Sequence, residues 1–265
     1  MSFKDKVVWI TGASSGIGEA LVYAFVAEGA QVILSARREA ELERVKSACG
    51  TNADQCTVLP LDLTDTKGLE LAAKSVIDQA GRVDILVNNG GMSQRSLAHE
   101  TDLSVDRRIM EVNYFGQITL TKALLPQMIR QGGGHIAVLS SVTGKFGFYQ
   151  RSAYAASKHA LHGFFETLGM ELASKNVYTT LVCPGRIQTN ISLHALTKDG
   201  SAHAKMDPGQ VAGISAEDCA RQILHAIRKR KKEVYIGSFS EKLVIYLKRF
   251  VPALFYQIIK TQSPV

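Results

Sequence analysis

A tyrosine and a lysine four positions apart, Tyr154 and Lys158, form the pair with the clearest chemical use in this 265-residue chain. They lie in a segment with helical periodicity, and residues four apart share one face of a helix. A phenol titrates near pH 10, and an adjacent cation favours the phenolate and lowers that pKa. The spacing indicates a general acid and base for work near neutral pH. Most Tyr/Lys pairs at this spacing are ordinary exposed pairs, so this interpretation needs support from elsewhere in the chain.

A glycine-rich turn, Thr11 to Gly18, joins the first apolar run to the first helical pattern. Its sequence is Thr-Gly-Ala-Ser-Ser-Gly-Ile-Gly, with the spacing GxxxGxG. Glycines let the backbone approach a pyrophosphate, and a helix start offers unpaired N–H groups and the positive end of the helix dipole. A merely structural turn would also be glycine-rich, but the position between strand one and helix one favours phosphate binding.

Two arginines follow the second apolar run, in Ser35-Ala36-Arg37-Arg38. An acid at this place would bind the ribose 2′-hydroxyl of a dinucleotide and disfavour a 2′-phosphate. Guanidiniums pair with phosphate instead, so Arg37 and Arg38 favour NADP(H). The alternative is that both arginines simply begin a solvated helix.

Polar and glycine residues also follow the fourth, fifth and sixth apolar runs. They are Asn88-Asn89-Gly90-Gly91, Ser140-Ser141 and Pro184-Gly185. Ligands of open α/β sheets bind outside the carboxyl ends of the strands. A hydroxyl at that edge can hydrogen-bond a substrate oxygen as charge develops on it. These segments and the glycine turn therefore predict one cofactor cleft.

The elements that must position these residues alternate between strands and helices. Near-continuous apolar runs predict strands at 7–11, 31–36, 56–60, 85–88, 135–140 and 178–183, with a weaker seventh at 234–236. Amphipathic stretches predict helices near 16–28, 39–49, 67–80, 104–130, 153–175 and 216–230. This alternation predicts an α/β fold: a single-domain, Rossmann-type, doubly wound parallel sheet of about seven strands. Residues 189–213 are expected to form a loop or mobile lid.

Taken in order, these motifs resemble the short-chain dehydrogenase/reductase family. The resemblance covers residues 5 to about 237, nearly the whole chain. The motifs that carry it are Thr11-Gly12-x-x-x-Gly16-x-Gly18, Asp62, Asn88-Asn89-x-Gly91, Asn113, Ser141, Tyr154-x-x-x-Lys158 and Pro184-Gly185. One departure is Gly90, where the family usually has alanine. Glycine adds backbone freedom there but removes no chemical group.

The resemblance implies roles for four catalytic residues. Tyr154 would donate and accept the proton, and Lys158 would lower its pKa and bind the nicotinamide ribose. Ser141 would orient the substrate carbonyl, and Asn113 would hold a helix bend and a water of a proton relay.

The expected nucleotide site combines the resemblance with the two arginines. Ser14, Ser15 and Ile17 would line the phosphate turn, and Asp62 and Leu63 would border the adenine. Asn89 would contact the adenosine or neighbouring backbone, and Ile187 and Thr189 would meet the carboxamide. The full set is Gly12, Ser14, Ser15, Gly16, Ile17, Gly18, Arg37, Arg38, Asp62, Leu63, Asn89, Gly91, Tyr154, Lys158, Pro184, Gly185, Ile187 and Thr189.

The function these residues predict is hydride transfer between NADP(H) and a small molecule, interconverting a carbonyl and a secondary alcohol. The alternative is a non-catalytic NADP(H)-binding redox sensor or scaffold, although the intact Ser, Tyr and Lys argue against it. Specificity is expected in residues 93–99, 145–150 and 187–211. The resemblance also implies a homodimer or homotetramer formed through the helices at 104–130 and 153–175.

The net charge of +7 is concentrated in the C-terminal tail. Residues 228–265 contain nine Lys/Arg and two acids, which leaves 22 of each sign in 1–227. Residues 1–237 are expected to form the catalytic domain and 238–265 a basic, amphipathic helical extension. Its apolar stripe suits a membrane surface or packing on the body or a partner subunit. Comparable tails in some membrane-linked family members suggest an apolar steroid-, retinoid- or lipid-like substrate.

Other features of the chain exclude some classes of protein. The four cysteines, Cys49, Cys56, Cys183 and Cys219, lack zinc-ligand or disulfide-framework spacing, so no metal is expected. The first apolar run is too short for a signal peptide, and the expected location is cytoplasmic, with peripheral membrane contact through the tail. The basic run 228–232 lacks an aromatic platform or a recognition motif, so no nucleic acid is expected as a partner.

Overall fold

The computed structural model describes residues 2–261, which build one seven-stranded parallel sheet. The strands are β1 (Val7–Thr11), β2 (Gln31–Ser35), β3 (Cys56–Val58), β4 (Ile85–Asn88), β5 (Gly134–Leu139), β6 (Val177–Pro184) and β7 (Glu233–Ile236). Their order across the sheet is β3-β2-β1-β4-β5-β6-β7, with every neighbouring pair parallel. The predicted doubly wound Rossmann-type sheet is confirmed, including its weak seventh strand.

Ten α-helices are described in residues 2–261. They are α1 (Gly16–Ala27), α2 (Glu39–Ala48), α3 (Thr66–Ala80), α4 (Leu103–Met110), α5 (Gly116–Arg130), α6 (Ser152–Glu171), α7 (Pro208–Val211), α8 (Ala216–Arg228), α9 (Phe239–Phe250) and α10 (Pro252–Lys260).

The helices cover both faces of the sheet, which is why the strands are apolar on both sides. Leu21 of α1 and Ile223 of α8 are fully buried in the core on one face. Leu124 of α5 and Phe165 of α6 are fully buried on the other. Burying each such side chain contributes about 1.5–3 kcal/mol, so the two cores hold the strand ends in fixed positions.

The strand order reverses direction between β1 and β4. After β1 the chain proceeds outward to β2 and β3, then returns to place β4 on the other side of β1. Crossover connections diverge at this point, and a crevice opens at the carboxyl ends of the two strands. The glycine turn follows β1 and Asn89 follows β4, so the sequence places both at the crevice.

The stretch predicted as one helix at 104–130 contains a π-helical turn. Residues Glu111–Phe115 form this turn between α4 and α5. Such turns insert extra backbone into a helix and are frequent at functional sites. Asn113 lies in the turn, where its side chain faces the interior with no exposed surface.

The C-terminal segment forms two helices rather than the single helix that its apolar stripe suggested. Pro252 is the first residue of α10 and has no N–H to continue α9, and Val251 takes a non-helical conformation (φ −136°, ψ 63°). Proline at this position ends a helix and is well suited to begin the next. Residues 262–265 of the predicted extension lie outside the described residues. No helix within 2–261 is long and apolar enough to cross a membrane.

Candidate active site

The glycine turn approaches the backbone after β4 more closely than any side chain would allow. Gly12 has a φ of +65°, and a Cβ on it would lie 2.7 Å from the Cα of Gly90. Gly16 has a φ of +57°. Both conformations favour glycine. Ser15 is the N-cap of α1 and its side chain makes no capping bond, so the first N–H groups of α1 keep their capacity to bind an anion.

Asn89 holds the turn in place. Its Nδ2 donates to the carbonyl oxygens of Thr11 (3.0 Å) and Gly12 (3.1 Å), and its backbone N–H donates to Thr11 Oγ1 (3.1 Å). Asn89 was expected to contact the adenosine or neighbouring backbone, and the structure contains the contact to neighbouring backbone.

Arg37 and Arg38 follow β2 as exposed residues. Neither guanidinium has an ion-pair partner in the described part of the chain. Nearby, Asp62 accepts hydrogen bonds from Thr64 N and Thr64 Oγ1, both 2.9 Å long. Burial acts to raise the pKa of Asp62, but these bonds and the charge of Arg37 hold it below its ordinary value. This end of the crevice therefore has two available cations beside one fixed carboxylate.

Tyr154, Lys158 and Ser141 line one cavity at the carboxyl ends of β5 and β6. Lys158 is buried, its Nζ donates to the carbonyl of Leu139 at 2.6 Å, and it lies 5.6 Å from the centre of the Tyr154 ring. Burial lowers the pKa of Lys158 to about 8. The Ser141 hydroxyl approaches the carbonyl oxygen of Pro184 at 3.5 Å and accepts from Thr143 Oγ1 at 3.0 Å.

The pKa of Tyr154 lies above its ordinary value in the protein alone. Burial raises it, and the opposing effects come from hydrogen bonding with Ser141 and from the charges of Arg151 and Arg95. The positive charges of the two arginines therefore lower the pKa of the Tyr154 phenol, a role that the sequence analysis gave to Lys158 alone.

Asn113 is fully bonded to neighbouring backbone and side chains. Its Oδ1 accepts from Met92 N at 2.8 Å, and its Nδ2 donates to Met92 O at 2.9 Å and to Ser157 Oγ at 3.0 Å. Ser157 precedes Lys158 on α6, so Asn113 links the π-helical turn to the helix that carries Tyr154 and Lys158.

The segment after β6 crosses the same cavity. Pro184, Gly185, Ile187 and Thr189 all line it. Gln210 Nε2 donates to Ile187 O and, at 3.2 Å, to Thr189 Oγ1, which fixes this segment to α7. A Cβ on Gly16 would lie 2.9 Å from Thr189 Cγ2. The glycine turn and the segment after β6 therefore face each other across the crevice.

The cavity has a volume of about 530 Å³, and the C-terminal helices form part of its wall. Leu243, Val244 and Leu247 of α9 and Ile258 and Ile259 of α10 line it. Phe255 and Ile245 anchor these helices against Phe146, in a cluster where all three are at most 6% exposed. The Glu241 carboxylate of α9 accepts from Arg186 N at 2.8 Å, which ties α9 to the segment after β6.

Sequence analysis missed a charged cluster in the cavity wall. Arg95 and Arg151 line the cavity, and both pair with Asp207. Arg95 and Asp207 belong to the segments 93–99 and 187–211 that were predicted to set specificity, and Arg151 directly follows the segment 145–150. Their position in or beside these segments was the only signal in the sequence. The pairing itself could not be predicted, because Arg95 and Arg151 are 112 and 56 residues away from Asp207 in the chain.

A second polar cluster lies behind Ser140. The ligand atoms of His162, Cys183 and Glu233 lie within 4.8 Å of one another, which is compatible with a metal ion. Lys145 Nζ lies 2.6 Å from Glu233 Oε1 and neutralises that carboxylate. His162 Nε2 is 3.0 Å from Ser140 Oγ. The cluster thus forms an internal polar network beneath the end of β5, built from residues far apart in the chain.

The fold and this site define the class of protein. The family model described as short chain dehydrogenase matches residues 6–199. The chain belongs to this family of oxidoreductases.

Among curated relatives, the chain is 44% identical over 262 residues to the Drosophila melanogaster "Dehydrogenase/reductase SDR family protein 7-like", covering 97% of this chain and 80% of that one. It is 41% identical over 266 residues to the Xenopus laevis "Dehydrogenase/reductase SDR family member 7B", covering 97% and 81%.

Solved structures share the fold over the whole chain. A short-chain dehydrogenase from Streptomyces avermitilis superposes with a TM-score of 0.81 at 32% identity, covering 97% of this chain and 96% of that one. A family member from Burkholderia phymatum, in complex with NAD, has a TM-score of 0.84 at 22% identity, with coverage of 100% and 98%. One from Burkholderia cenocepacia, in complex with NADP, has a TM-score of 0.80 at 24% identity, with coverage of 98% and 99%. At these identities, the similarity to the two Burkholderia structures shows a shared fold.

The crevice fits a nicotinamide dinucleotide by three features. The glycine turn and the start of α1 suit a pyrophosphate. The switch point lies between β1 and β4, where dinucleotides bind in this fold. Gly91 leaves room beside Asn113, since a Cβ there would lie 3.1 Å from Asn113 Oδ1. Family membership and this fit support a nicotinamide cofactor.

Proposed function

We propose that this protein is an NADP(H)-dependent oxidoreductase that interconverts a carbonyl and a secondary alcohol on an apolar substrate. The observation that carries the proposal is that Tyr154, Ser141 and Lys158 line one cavity facing the glycine turn. A phenol, a hydroxyl and an ammonium at that place are the groups a carbonyl reduction needs. The reduced nicotinamide, when bound, supplies a hydride to the carbonyl carbon.

The protein's residues handle the proton and the oxygen. In the proposed reduction, the carbonyl π-bond breaks and the Tyr154 hydroxyl gives its proton to the oxygen. Ser141 Oγ–H donates to the same oxygen and stabilises its developing charge. Lys158 assists as a cation beside the phenol, and Asn113 positions the two helices. Alcohol oxidation reverses each step, with Tyr154 as the base.

The preference for NADP(H) rests on Arg37 and Arg38. Both are exposed at the end of β2 and have no competing ion pair in residues 2–261. A 2′-phosphate carries a double negative charge near neutral pH and pairs well with guanidinium. No acid stands between Ser35 and Arg38 to favour the bare 2′-hydroxyl.

The apolar character of the substrate rests on the cavity wall. The α9 and α10 side chains facing it are all aliphatic apart from Ser240 and Glu241 near the start of α9, and Phe146 and Phe148 add aromatic surface. Such a wall excludes water and stabilises apolar carbon by about 25 cal/mol per Å² buried.

NADPH consumption against a panel of ketones tests the proposal. The panel includes steroids, retinoids and 3-keto acyl chains, with NADH run in parallel. Tyr154→Phe should lower turnover by about 10²–10⁴-fold, since it removes the general acid, while NADPH still binds. Tyr178→Phe is the matched control, because this tyrosine lies at the opposite end of β6, and it should retain full activity. NADPH binding without turnover of any ketone would instead favour a redox sensor, and loss of turnover in both variants would contradict the role of Tyr154.

We also propose that residues 238–265 form an extension that docks on a catalytic domain of 1–237 and reaches a membrane surface. Phe239 and Phe250 are 80% and 74% exposed on α9, and Arg249 accompanies them. Exposed aromatic and basic residues together suit an anionic lipid surface. Cosedimentation with phosphatidylserine vesicles should fall in Phe250→Ser/Arg249→Ser. Equal binding by the wild type and this variant would contradict the role of α9.

A homodimer or homotetramer is proposed through the outer faces of α4, α5 and α6. Leu103, beginning α4, and Met170, near the end of α6, are 60% and 70% exposed. Apolar side chains exposed on neighbouring helices are typical of interfaces. Light scattering on the purified protein measures the oligomeric state, and Met170→Glu should shift it toward the monomer. A wild-type monomer would contradict this proposal.

A further inference from the structure

Two arginines and one carboxylate form a compact ionic cluster in the cavity wall. Arg95 Nε lies 3.1 Å from Asp207 Oδ2, and Arg151 Nη2 lies 2.9 Å from the same oxygen. Arg95 is 8% exposed, and the Arg151 side chain is 13% exposed. Both arginines line the same cavity as Tyr154.

The cluster has one positive charge more than it can neutralise. Two guanidiniums share a single carboxylate, whose Oδ2 already accepts from both. Burial and the neighbouring charge of Arg95 lower the pKa of Arg151 to about 10 despite its pairing with Asp207. A buried cation without full compensation is costly, so an anion arriving here would be strongly favoured.

The two arginines differ in the donors they retain. Arg95 donates from Nε and Nη2 to Asp207 and from Nη1 to Ser93 Oγ and Gln94 O. Arg151 donates only from Nη1 to Tyr149 O and from Nη2 to Asp207 within the described residues. A guanidinium has five N–H groups, so Arg151 keeps Nε–H and two further N–H groups. Arg95 therefore anchors the cluster, and Arg151 is the arginine equipped to receive a ligand.

The surroundings of Arg151 extend from this charge into an apolar region. Its guanidinium carbon lies 5.2 Å from the centre of the Phe148 ring. Phe148 and Leu247 both pack against the cluster of Phe146, Ile245 and Phe255 that anchors the C-terminal helices. One end of the cavity is thus cationic and the other is apolar, which is the polarity of an amphiphile.

We propose that the substrate is an amphiphilic ketone or alcohol whose anionic group, a carboxylate or phosphate, binds Arg151, with its apolar chain against α9 and α10. The inference rests on the oxidoreductase function proposed above and names its substrate class. Arg151 is the N-cap of α6, and Tyr154 lies in the first turn of the same helix, so the anionic group binds near the reacting carbonyl rather than at a distant end of the molecule. Guanidinium binds both anions through paired N–H donors.

Matched substrates test the inference. 4-Oxodecanoate and its methyl ester differ in the negative charge and one methyl group, and both are given to the wild type, Arg151→Gln and Arg151→Lys with NADPH. The wild type should prefer the acid in kcat/KM. Arg151→Gln should lower kcat/KM for the acid by about 10- to 100-fold, the size of a charge-assisted hydrogen bond, and leave the ester within about threefold. Arg151→Lys should restore part of the loss, and Arg130→Gln, an exposed arginine at the far end of α5, should change neither.

Unreactive ligands separate the two anions and the structural alternative. Decanoate and decyl phosphate should inhibit the wild type more strongly than decanol, and the stronger of the two identifies the anion. An equal loss for acid and ester in Arg151→Gln would overturn the inference and assign the cluster to fixing the segment that carries Asp207. Reduction of the ester in preference to the acid by the wild type would overturn it while leaving the oxidoreductase function intact. Failure to reduce any ketone, with NADPH bound, would count against the oxidoreductase function itself, and inhibitor binding would still measure the anion site.

Discussion

Replacing Arg37 and Arg38 together with serine is expected to remove the preference for NADPH. Both side chains are exposed at the end of β2 and make no ion pair in the described chain, so the change leaves no buried partner without its bond. The fold should be unaffected, because exposed substitutions of this kind change stability by about 0.5 kcal/mol or less. The effect should appear in cofactor affinity alone.

The size of the effect follows from exposure. A hydrogen bond to a charged group contributes about 1.5–3 kcal/mol, and solvent around both guanidiniums places each near the lower limit. About 1.5 kcal/mol corresponds to about tenfold in affinity. Because the two arginines would share one phosphate, their contributions are not fully additive. The double variant should therefore lower kcat/KM for NADPH by about 30- to 100-fold and leave kcat/KM for NADH unchanged.

Steady-state kinetics with both cofactors and one ketone provide the assay. Arg130→Ser is the matched control, since this exposed arginine is the last residue of α5, shortly before β5 begins and away from the carboxyl ends of the strands. Raising the salt concentration from about 0.02 to 0.5 M should also weaken the wild-type preference, because exposed charges are screened. Ala36→Asp should favour NADH by offering a carboxylate to the 2′-hydroxyl. A double variant with an unchanged ratio of NADPH to NADH efficiency would refute the reasoning.

Three further predictions concern stability and the turn. Phe255→Ala should lower the free energy of unfolding by about 3 kcal/mol, since this ring is 3% exposed and truncation of a buried ring leaves a cavity. Thermal denaturation measures the loss, and the exposed Phe250→Ala is the control that should show little change. Equal shifts for the two variants would count against docking of α10. Burial holds the pKa of His135 at about 4, so the unfolded chain binds the proton first and stability should fall as pH drops from about 6.5 to 4, by up to about 3 kcal/mol. Urea unfolding measures this loss, and His135→Gln should reduce the slope. Gly12→Ala should lose NADPH binding because its Cβ would meet Gly90 Cα, and normal binding measured by calorimetry would contradict the role of the turn.

Local sequence was sufficient to predict the sheet and the start of the crevice. The run Val7–Thr11 coincides with β1, and Ile85–Asn88 with β4. Strands covered on both faces must be continuously apolar, and the glycines mark a turn where the backbone approaches itself. These features depend on residues close together in the chain, so they can be predicted from the sequence alone.

Features that depend on contacts between residues far apart in the chain were harder to predict from the sequence. The helix predicted at 104–130 contains a π-helical turn, in which Asn113 bonds Met92 and Ser157, residues that the sequence does not place beside it. The tail's apolar stripe and its interruption at Pro252 were visible in the sequence, but the packing of two separate helices was not. Its use as a cavity wall depends on burial against Phe146, about a hundred positions earlier in the chain.

The sequence by itself determined the fold class and which side chains could transfer a proton and cradle a phosphate, because spacing and strand order carry that information. Only the tertiary structure decided that Arg95 and Arg151 meet at Asp207, and that the C-terminal helices line the same cavity as Tyr154. Charge pairs across more than fifty residues follow from packing, since their geometry is set by the elements that carry them and no local pattern encodes it.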